Sequence, residues 1–356
     1  MKAVVLAGGE GTRLRPLTFF TPKQMLPVAG RPVIERVVEG LARHGIDEVI
    51  LSLGYRPDAF MAAYPHGSCS GVRLRYVVEE RPLDTAGAIA FAAREAGVGN
   101  ETFIAMNADI LTEVDVTALV QFHCDRGGDA SIALTPVKDP SLFGVVPVDG
   151  RGKVEAFIEK PPAALAPTSM INAGIYVLGP SFLERVPHGG RLSVEREVFP
   201  ALVEAGSLYA LGSDALWTDM GTPATYLEAN LAWAKRERCL TGDAGLGHVH
   251  GSQHGSGKFG AGHWPGHPGA HPEAEVVNSV LHRDVQIEKG ARVHDAVVLD
   301  GGRVRAGAFV SRSVLGRNVV VGLGAVVDAL SVLGDGWVVG AGDVLSGARL
   351  PAVGEG

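Results

Sequence analysis

Apolar positions change their spacing twice along the chain, which divides it into three segments. Up to about residue 238, short β-rich runs alternate with stretches whose apolar residues recur at helical spacing. KAVVLA, EVILSLG, LRYVVEE and TFIAMNAD read as strands, and SIALTPV, GVVPVDG, KVEAFIEKP and INAGIYVLG as further ones. VIERVVEGLARHG reads as a helix closed by glycine, because Val33, Val37, Val38 and Leu41 share one face. TAGAIAFAAREAG is a second helix, and TPATYLEANLAWAKRER a third with Thr222-Pro223 at its start. Strands and helices in this rhythm predict an α/β, Rossmann-like, mostly parallel sheet covered on both faces. Ligands of such sheets bind beyond the carboxyl ends of the strands. GGEGTRLR, EERPLDTAG and NADI all fall there.

Residues 239–274 lose this pattern. They are dense in Gly, His, Pro and Ser and hold His248, His250, His254, His263, His267 and His271, six of the twelve histidines. So few aliphatic side chains cannot offset the ordering entropy, and the stretch reads as a solvated linker with no fixed metal-ligand spacing. From 275 to 350 the period becomes six: Val314-Leu315, Val320-Val321, Val326-Val327, Val332-Leu333, Val338-Val339 and Val344-Leu345. Inward apolar residues at that period predict a left-handed hexapeptide β-helix of about twelve hexads. DGGRVRAGA, before residue 309, blurs the repeat.

The net charge of −7 argues against a nucleic-acid partner, so any phosphate site must be locally basic on an acidic background. No apolar run reaches the roughly 20 residues of a membrane span. The first apolar run meets Gly8 and Gly9 too soon to form a signal-peptide core. Cys69, Cys124 and Cys239 are far apart, with no paired spacing. Together these features predict a soluble, cytoplasmic, reduced protein without a membrane partner.

The chemistry concentrates in LAGGEGTRLRPLTFFTPKQMLP. It lacks the third glycine of a dinucleotide fingerprint and the Gly-Lys-Ser/Thr of a P-loop. Backbone amides of Gly8, Gly9, Gly11 and Thr12 can turn toward one anion, and Arg13, Arg15 and Lys23 add cations. Such a set suits an extended polyphosphate. Asp109, ending FIAMNAD, and Asp219, in LWTDMGTP, are hard oxygen ligands of the kind Mg²⁺ prefers. Lys160 in FIEKP offers a cation to a second phosphate group.

GGEGTRLRPLTFFTPK resembles the signature of the sugar-1-phosphate nucleotidyltransferases. The resemblance continues in family order through EERPLDTAG, NAD, FGVV, FIEKP, INAGIYV, SVEREVFP and WTDMGTP, over about 230 residues. EERPLDTAGAI, INAG and SVEREVFP are most similar to the mannose-1-phosphate guanylyltransferases within it. The resemblance implies attack by a sugar 1-phosphate oxygen on the α-phosphorus of an NTP, with Mg-pyrophosphate leaving. Arg13, Lys23 and Asp109 would be catalytic, and Asp109 and Asp219 would carry Mg²⁺. Leu6, Ala7, Gly8, Gly9, Gly11, Thr12, Pro82, Leu83, Thr85, Ala86 and Asn107 would line the nucleotide. Gly144, Glu159, Lys160, Asn172 and Gly174 would meet the sugar phosphate. Glu80 is a candidate to accept guanine N1–H and N2–H₂ together, with Glu79 an equal competitor.

Two positions depart from the family pattern. Asp84 stands where relatives carry glycine in Leu-Gly-Thr, where its carboxylate could contact ribose or base or repel a phosphate. Ala108 stands where they carry glycine in Asn-Gly-Asp, a strain of about 1 kcal/mol if φ there is positive. The expected reaction is therefore guanylyl transfer from GTP to mannose 1-phosphate by a homo-oligomer. The same chemistry on glucose, heptose or a cyclitol such as valienol 1-phosphate, or with dTTP, UTP or ATP, remains open. So does a non-catalytic sugar-nucleotide-binding subunit. Acyl transfer by the β-helix would need His282 or His294 as its base.

Overall fold

The computed structural model describes residues 1–241 and 269–351. His248, His250, His254, His263 and His267 lie outside the described residues. The chain forms two compact units whose sequences interleave. Met1–Gly9 joins Ile34–Asp219, and Glu10–Val33 joins the described part of Met220–Gly356.

The first unit is built on β1 (Lys2–Ala7), β2 (Glu48–Leu53), β3 (Val72–Val78) and β4 (Phe103–Asn107), parallel and in the order β3-β2-β1-β4. Strands with β-branched and aliphatic residues on both faces are what a doubly covered sheet requires. Ala3, Val4, Val5, Val49, Ile50 and Leu51 are all fully buried. After the short β5 (Ile110–Thr112), β6 (Ala130–Pro136), β7 (Met170–Leu178) and β8 (Leu208–Gly212) extend the sheet beyond β4. There β7 runs antiparallel to both β4 and β6, and β8 parallel to β6. The stretch KVEAFIEKP, expected as a strand, forms one only over Ile158–Glu159, against Gly144–Val145, with isolated bridges from Lys153 to Tyr209 and from Val154 to Val148. Helix α1 (Val33–Arg43) forms as its periodicity predicts. Helix α2 (Asp84–Glu95) carries small residues, with Ala86, Ala90 and Ala93 fully buried, and lies close against the central strands. The order reverses direction at β1, so the crevice of this sheet opens between the ends of β1 and β4.

In the second unit, α3 (Pro223–Thr241) begins as expected, with Thr222 Oγ1 accepting from Thr225 N at 3.2 Å. Tyr226 donates to the Pro27 carbonyl at 2.6 Å, and Asn230 Oδ1 accepts from Ala29 N at 3.0 Å. These bonds tie the end of the Glu10–Val33 segment to the helix. Among the described residues, fourteen short strands then stack into three parallel sheets, the walls of a β-helix. Pairing reaches back before residue 275: Ala270 bridges Ile287, and His271 N donates to the Ile287 carbonyl at 2.8 Å.

The inward residues explain why the hexad is clear only late in the sequence. Val276, Leu281, Ile287 and Val293 are spaced five, six and six apart, so each early coil is 17 residues long: Val276 pairs Val293, which pairs Val310. Val310 in turn pairs Val327, also 17 on, and the coil from Val327 to Leu345 takes 18. One corner is short by a residue in the early coils, and Asn278, Asp295 and Arg312 turn it with φ of 41°, 48° and 39°. In the longer coil Ala329 and Leu330 share that bend, both at positive φ. From Leu315 through Leu345 every inward step is six, and there the sequence repeat is visible. No helix among the described residues is long and apolar enough to cross a membrane.

Candidate active site

Four parallel strands deliver their carboxyl ends side by side. Register places Ala7 beside Leu53 and Leu53 beside Val78, so Gly8, Gly54 and Glu79 follow in one row. A Cβ on Gly54 would lie 2.9 Å from the Gly8 carbonyl oxygen, and one on Gly8 would lie 3.3 Å from Glu79 Oε1. Small residues are needed here because the backbones meet. On the other side Leu6 pairs Asn107, and Ala108 N donates to the Leu6 carbonyl at 3.0 Å. Ala7, expected to line the nucleotide, is fully buried.

The two acids predicted as metal ligands come from one ribbon. Asp109 sits in the turn between β4 and β5, and β9 (Trp217–Asp219) pairs antiparallel with β5 so that Asp219 lies opposite Ile110. Adjacent positions on paired strands bring both residues to the same end of the ribbon. Trp217 Nε1 donates to the Ala173 carbonyl at 2.9 Å and its ring meets Phe143 edge-on at 5.5 Å, anchoring β9. Ala108 is buried and is not among the residues with positive φ, so the expected strain at this position does not arise.

Around β7 the chain bulges between Asn172 and Tyr176. Asn172 Oδ1 accepts from Gly174 N at 2.9 Å, and its amide donates to the Tyr176 hydroxyl at 3.0 Å. Gly174 has φ +71°, and a Cβ on it would stand 2.9 Å from Asn107 Nδ2. Gly144 pairs with Glu159, whose Oε1 accepts from Lys160 Nζ at 2.7 Å. Burial, and then the negative charges of Glu195, Glu159 and Asp109, push the Tyr176 hydroxyl well above its ordinary pKa, while the bond to Asn172 opposes them. The predicted sugar-side residues Gly144, Glu159, Lys160, Asn172 and Gly174 thus gather with Asn107 and Asp109 in the first unit.

The two competing glutamates have different surroundings. Glu79 Oε1 accepts from Ser52 Oγ at 3.0 Å and Oε2 from Leu83 N at 3.2 Å, so its carboxylate braces the loop. Glu80 and Pro82 are exposed, and Glu80 makes no hydrogen bond or ion pair among the described residues. Asp84 does not fit the expectation of a carboxylate turned to ribose, base or phosphate. It takes the left-handed φ of 60° that glycine would favour, accepts from Thr85 N at 2.9 Å and pairs with Arg196 at 2.8 Å. Aspartate is one of the few side chains tolerated in that conformation. Replacing Asp84 with glycine relieves the φ penalty and loses an exposed ion pair, each worth about 1 kcal/mol or less. The Asp84→Gly protein is therefore expected to unfold within a few degrees of the parent in a thermal melt and to keep its activity.

Glu195 was not singled out in the sequence. Its Oε2 accepts from Thr85 Oγ1 at 2.7 Å and Ser193 Oγ at 2.8 Å, while Thr85 Oγ1 accepts from Val194 N at 2.8 Å. Ala86 N and Gly87 N both donate to the Leu192 carbonyl. The SVEREVFP segment, a π-helical turn over Val194–Val198, is thereby fixed to the start of α2. Ser193 and Glu197 bond within the segment, but the partner of Glu195, Thr85, lies 110 residues away.

In the second unit, Gly11 has φ 67° and opens a 3₁₀ turn over Thr12–Leu14. A Cβ there would come within 3.1 Å of both Lys23 Cβ and Thr18 Cγ2, so the glycine lets Lys23 lie across the loop. Leu14, Leu17 and Leu26 anchor the loop by burial, and Thr18 Oγ1 donates to the Gly11 carbonyl at 2.8 Å. Arg15 is paired with Glu10 at 3.1 Å, whereas Thr12 and Arg13 are exposed. The two candidate bases for acyl transfer lie in different surroundings. His282 is buried in the β-helix wall, where desolvation pushes it down to about 4, and His294 pairs with Glu275 at 3.3 Å against the Phe309 ring.

The nucleotidyl transferase family model matches residues 2–236, which span every residue of this site. The chain belongs to the nucleotidyl transferase family. A second model, the GMPPB C-terminal domain, matches residues 269–351 of this nucleotidyl transferase. A mannose-1-phosphate guanylyltransferase of Mycobacterium tuberculosis is 39% identical over 315 residues, covering 87% of this chain and 83% of that one. A probable mannose-1-phosphate guanylyltransferase 3 of Oryza sativa subsp. japonica is 34% identical over 96% of this chain and 92% of its own. Among solved structures, HddC from Yersinia pseudotuberculosis complexed with GMP-PN superposes with a TM-score of 0.57 at 29% identity, over 65% of this chain and 99% of that one.

Proposed function

We propose that this nucleotidyl transferase is an enzyme that moves GMP from GTP to mannose 1-phosphate and releases pyrophosphate. One observation carries the reading: a likeness over most of the chain to proteins named for that reaction coincides with two carboxylates and a glycine loop at the ends of β1, β4 and β9. An oxygen of the sugar phosphate forms a bond to the α-phosphorus while the α–β bridging P–O bond breaks. The attacking oxygen is already ionised near neutral pH, so no general base is needed. Alignment and charge stabilisation supply the rate.

Asp109 and Asp219 suit a hard divalent cation, being carboxylates on adjacent positions of one ribbon. When bound there, Mg²⁺ would neutralise charge developing on the phosphates. In our reading Arg13 and Lys23 hold the triphosphate and steady the departing pyrophosphate, and Lys160 holds the sugar phosphate. Asn172 and Glu159, with the backbone at Gly144 and Gly174, orient the sugar. Glu80 reads guanine, because the neighbouring Glu79 carboxylate is occupied by Ser52 and Leu83 N. We also read the protein as a homo-oligomer, on the apolar side chains that Leu323, Val338 and Val344 expose along the β-helix; a monomeric mass by light scattering would reject this.

The test is Mg²⁺-dependent pyrophosphate release with GTP, ATP, UTP, CTP and dTTP, each paired with mannose, glucose and less common sugar or cyclitol 1-phosphates. Highest turnover with GTP and mannose 1-phosphate is expected. Glu80→Gln should cut the preference for GTP by roughly tenfold or more, the cost of leaving two guanine donors with one carboxylate partner lost. Turnover of GTP only with another phosphate would reassign the sugar, and inactivity with every pair would overturn the enzymatic reading.

A further inference from the structure

The loop carrying Arg13 and Lys23 packs with the β-helix as part of one compact unit, although about 300 residues separate them in sequence. Its own secondary structure is slight: 3₁₀ turns at Thr12–Leu14 and Lys23–Met25 and a two-residue ladder of Pro27–Val28 with Arg31–Pro32. Three successive coils of one β-helix sheet meet it. Arg317 Nη1 donates to Thr21 Oγ1 at 3.0 Å, two residues before Lys23. A Cβ on Gly334 would stand 3.1 Å from Pro16 Cβ, so the bare backbone is where that proline rests. Arg349 Nη1 donates to the carbonyl of Arg13 itself at 3.3 Å.

Arg317 is itself held. Its backbone N donates to Asp335 Oδ1 at 2.7 Å, and its guanidinium lies 3.5 Å from Asp335 Oδ2 on the next coil. Gly316 permits this, since a Cβ there would fall 2.7 Å from Asp335 Oδ1. The same Nη1 that lies by Asp335 meets Thr21, so the carboxylate and the hydroxyl share one corner of the planar guanidinium, whose fixed fork restricts its orientation more than a flexible ammonium would. The far end of the loop is tied separately to α3 through Pro27 and Ala29.

We propose that the β-helix is a working part of the phosphate site, with Arg317 and Arg349 as positioning residues that hold the Arg13–Lys23 loop in register for the triphosphate. The proposal rests on the assignment of Arg13 and Lys23 to the phosphates. A loop that must place two cations on one polyanion loses rate steeply when it shifts, by about a hundredfold for 1 Å. The β-helix therefore bears on nucleotide handling as well as on assembly.

Full-length Arg317→Met, Arg349→Met, Arg317→Lys and Thr21→Val proteins test this by steady-state kinetics, thermal melts and amide exchange over residues 11–26. Arg317→Met is expected to lower kcat/KM for GTP roughly ten- to a hundredfold, with KM for the sugar phosphate little changed. Amide exchange in the loop should rise in the free protein, and the melting temperature should stay within a few degrees. Thr21→Val should show the same loss and add nothing to Arg317→Met, while Arg317→Lys should recover only part. Arg292→Met, elsewhere on the β-helix against Phe309, should match the parent. Parental kinetics in Arg317→Met and Arg349→Met, with Lys23→Met inactive, would overturn the proposal and keep the site. A loss that merely follows the melting temperature, with Thr21→Val unaffected, would also overturn it. An active Lys23→Met would overturn the site assignment and the proposal with it.

Discussion

Asp109→Asn is expected to lower kcat for pyrophosphate release by roughly 10²–10³-fold, the scale of removing one charge-stabilising group from a preorganised site. Asparagine keeps the size of the side chain and removes the anion. The turn between β4 and β5 has a buried neighbour in Ala108, whose amide is bonded to Leu6, so the backbone should hold and the melting temperature should move by a few degrees at most. Asp219→Asn should give a similar loss, because β9 brings it to the same end of the ribbon. The double variant should fall short of the product of the two, as groups that serve one cation do not act independently. Raising Mg²⁺ should recover part of the activity of either single variant. Asp84→Asn is the control: that carboxylate serves Arg196 and Thr85 N, and its loss should leave turnover near parental. Parental rates in Asp109→Asn, with Mg²⁺ still required, would remove this residue from the metal site.

Local patterns carried the fold into the sequence, and long-range contacts hid the rest. KAVVLA and TFIAMNAD read as strands because their apolar runs are short and bounded, and their ends are where the glycines and Asp109 stand. The hexad was visible from Leu315 onward and blurred before it, because the earlier coils drop one residue at a corner. Alternation could not tell Glu79 from Glu80, since both lie past the end of β3, and their surroundings differ through the bonds that Glu79 accepts from Ser52 and Leu83 N. Asp84 looked like a departure toward the ligand until Arg196, 112 residues away, supplied its partner. The grouping of the Glu10–Val33 loop with the β-helix has no local signature at all. Arg317 and Thr21 are ordinary surface residues in sequence, and only the stacking of coils brings one to the other.

Gly174→Ala should cost stability and activity together. The new methyl would sit 2.5 Å from Ile110 Cδ1 and 2.9 Å from Asn107 Nδ2, on a backbone at φ +71°. The left-handed φ costs an L-residue about 1–2 kcal/mol, and overpacking a buried position about 1–3 kcal/mol more. Relief must come from moving Ile110 or Asn107, and Asp109 lies between them. A shift of that turn displaces a proposed cation ligand, so kcat should drop by about a hundredfold. Thermal unfolding and pyrophosphate release on the same preparations check both effects. Ile110→Val removes the methyl that clashes most, so Gly174→Ala/Ile110→Val should regain much of the lost stability. Ile110→Val alone should cost about 1 kcal/mol from the small cavity. If the pair regains stability and turnover together, crowding against Ile110 moves the Asp109 turn. If it regains stability alone, the contact with Asn107 is the one that sets the turn. Wild-type stability in Gly174→Ala would contradict the close approach of β7 to β5 on which the placement of Asp109 depends.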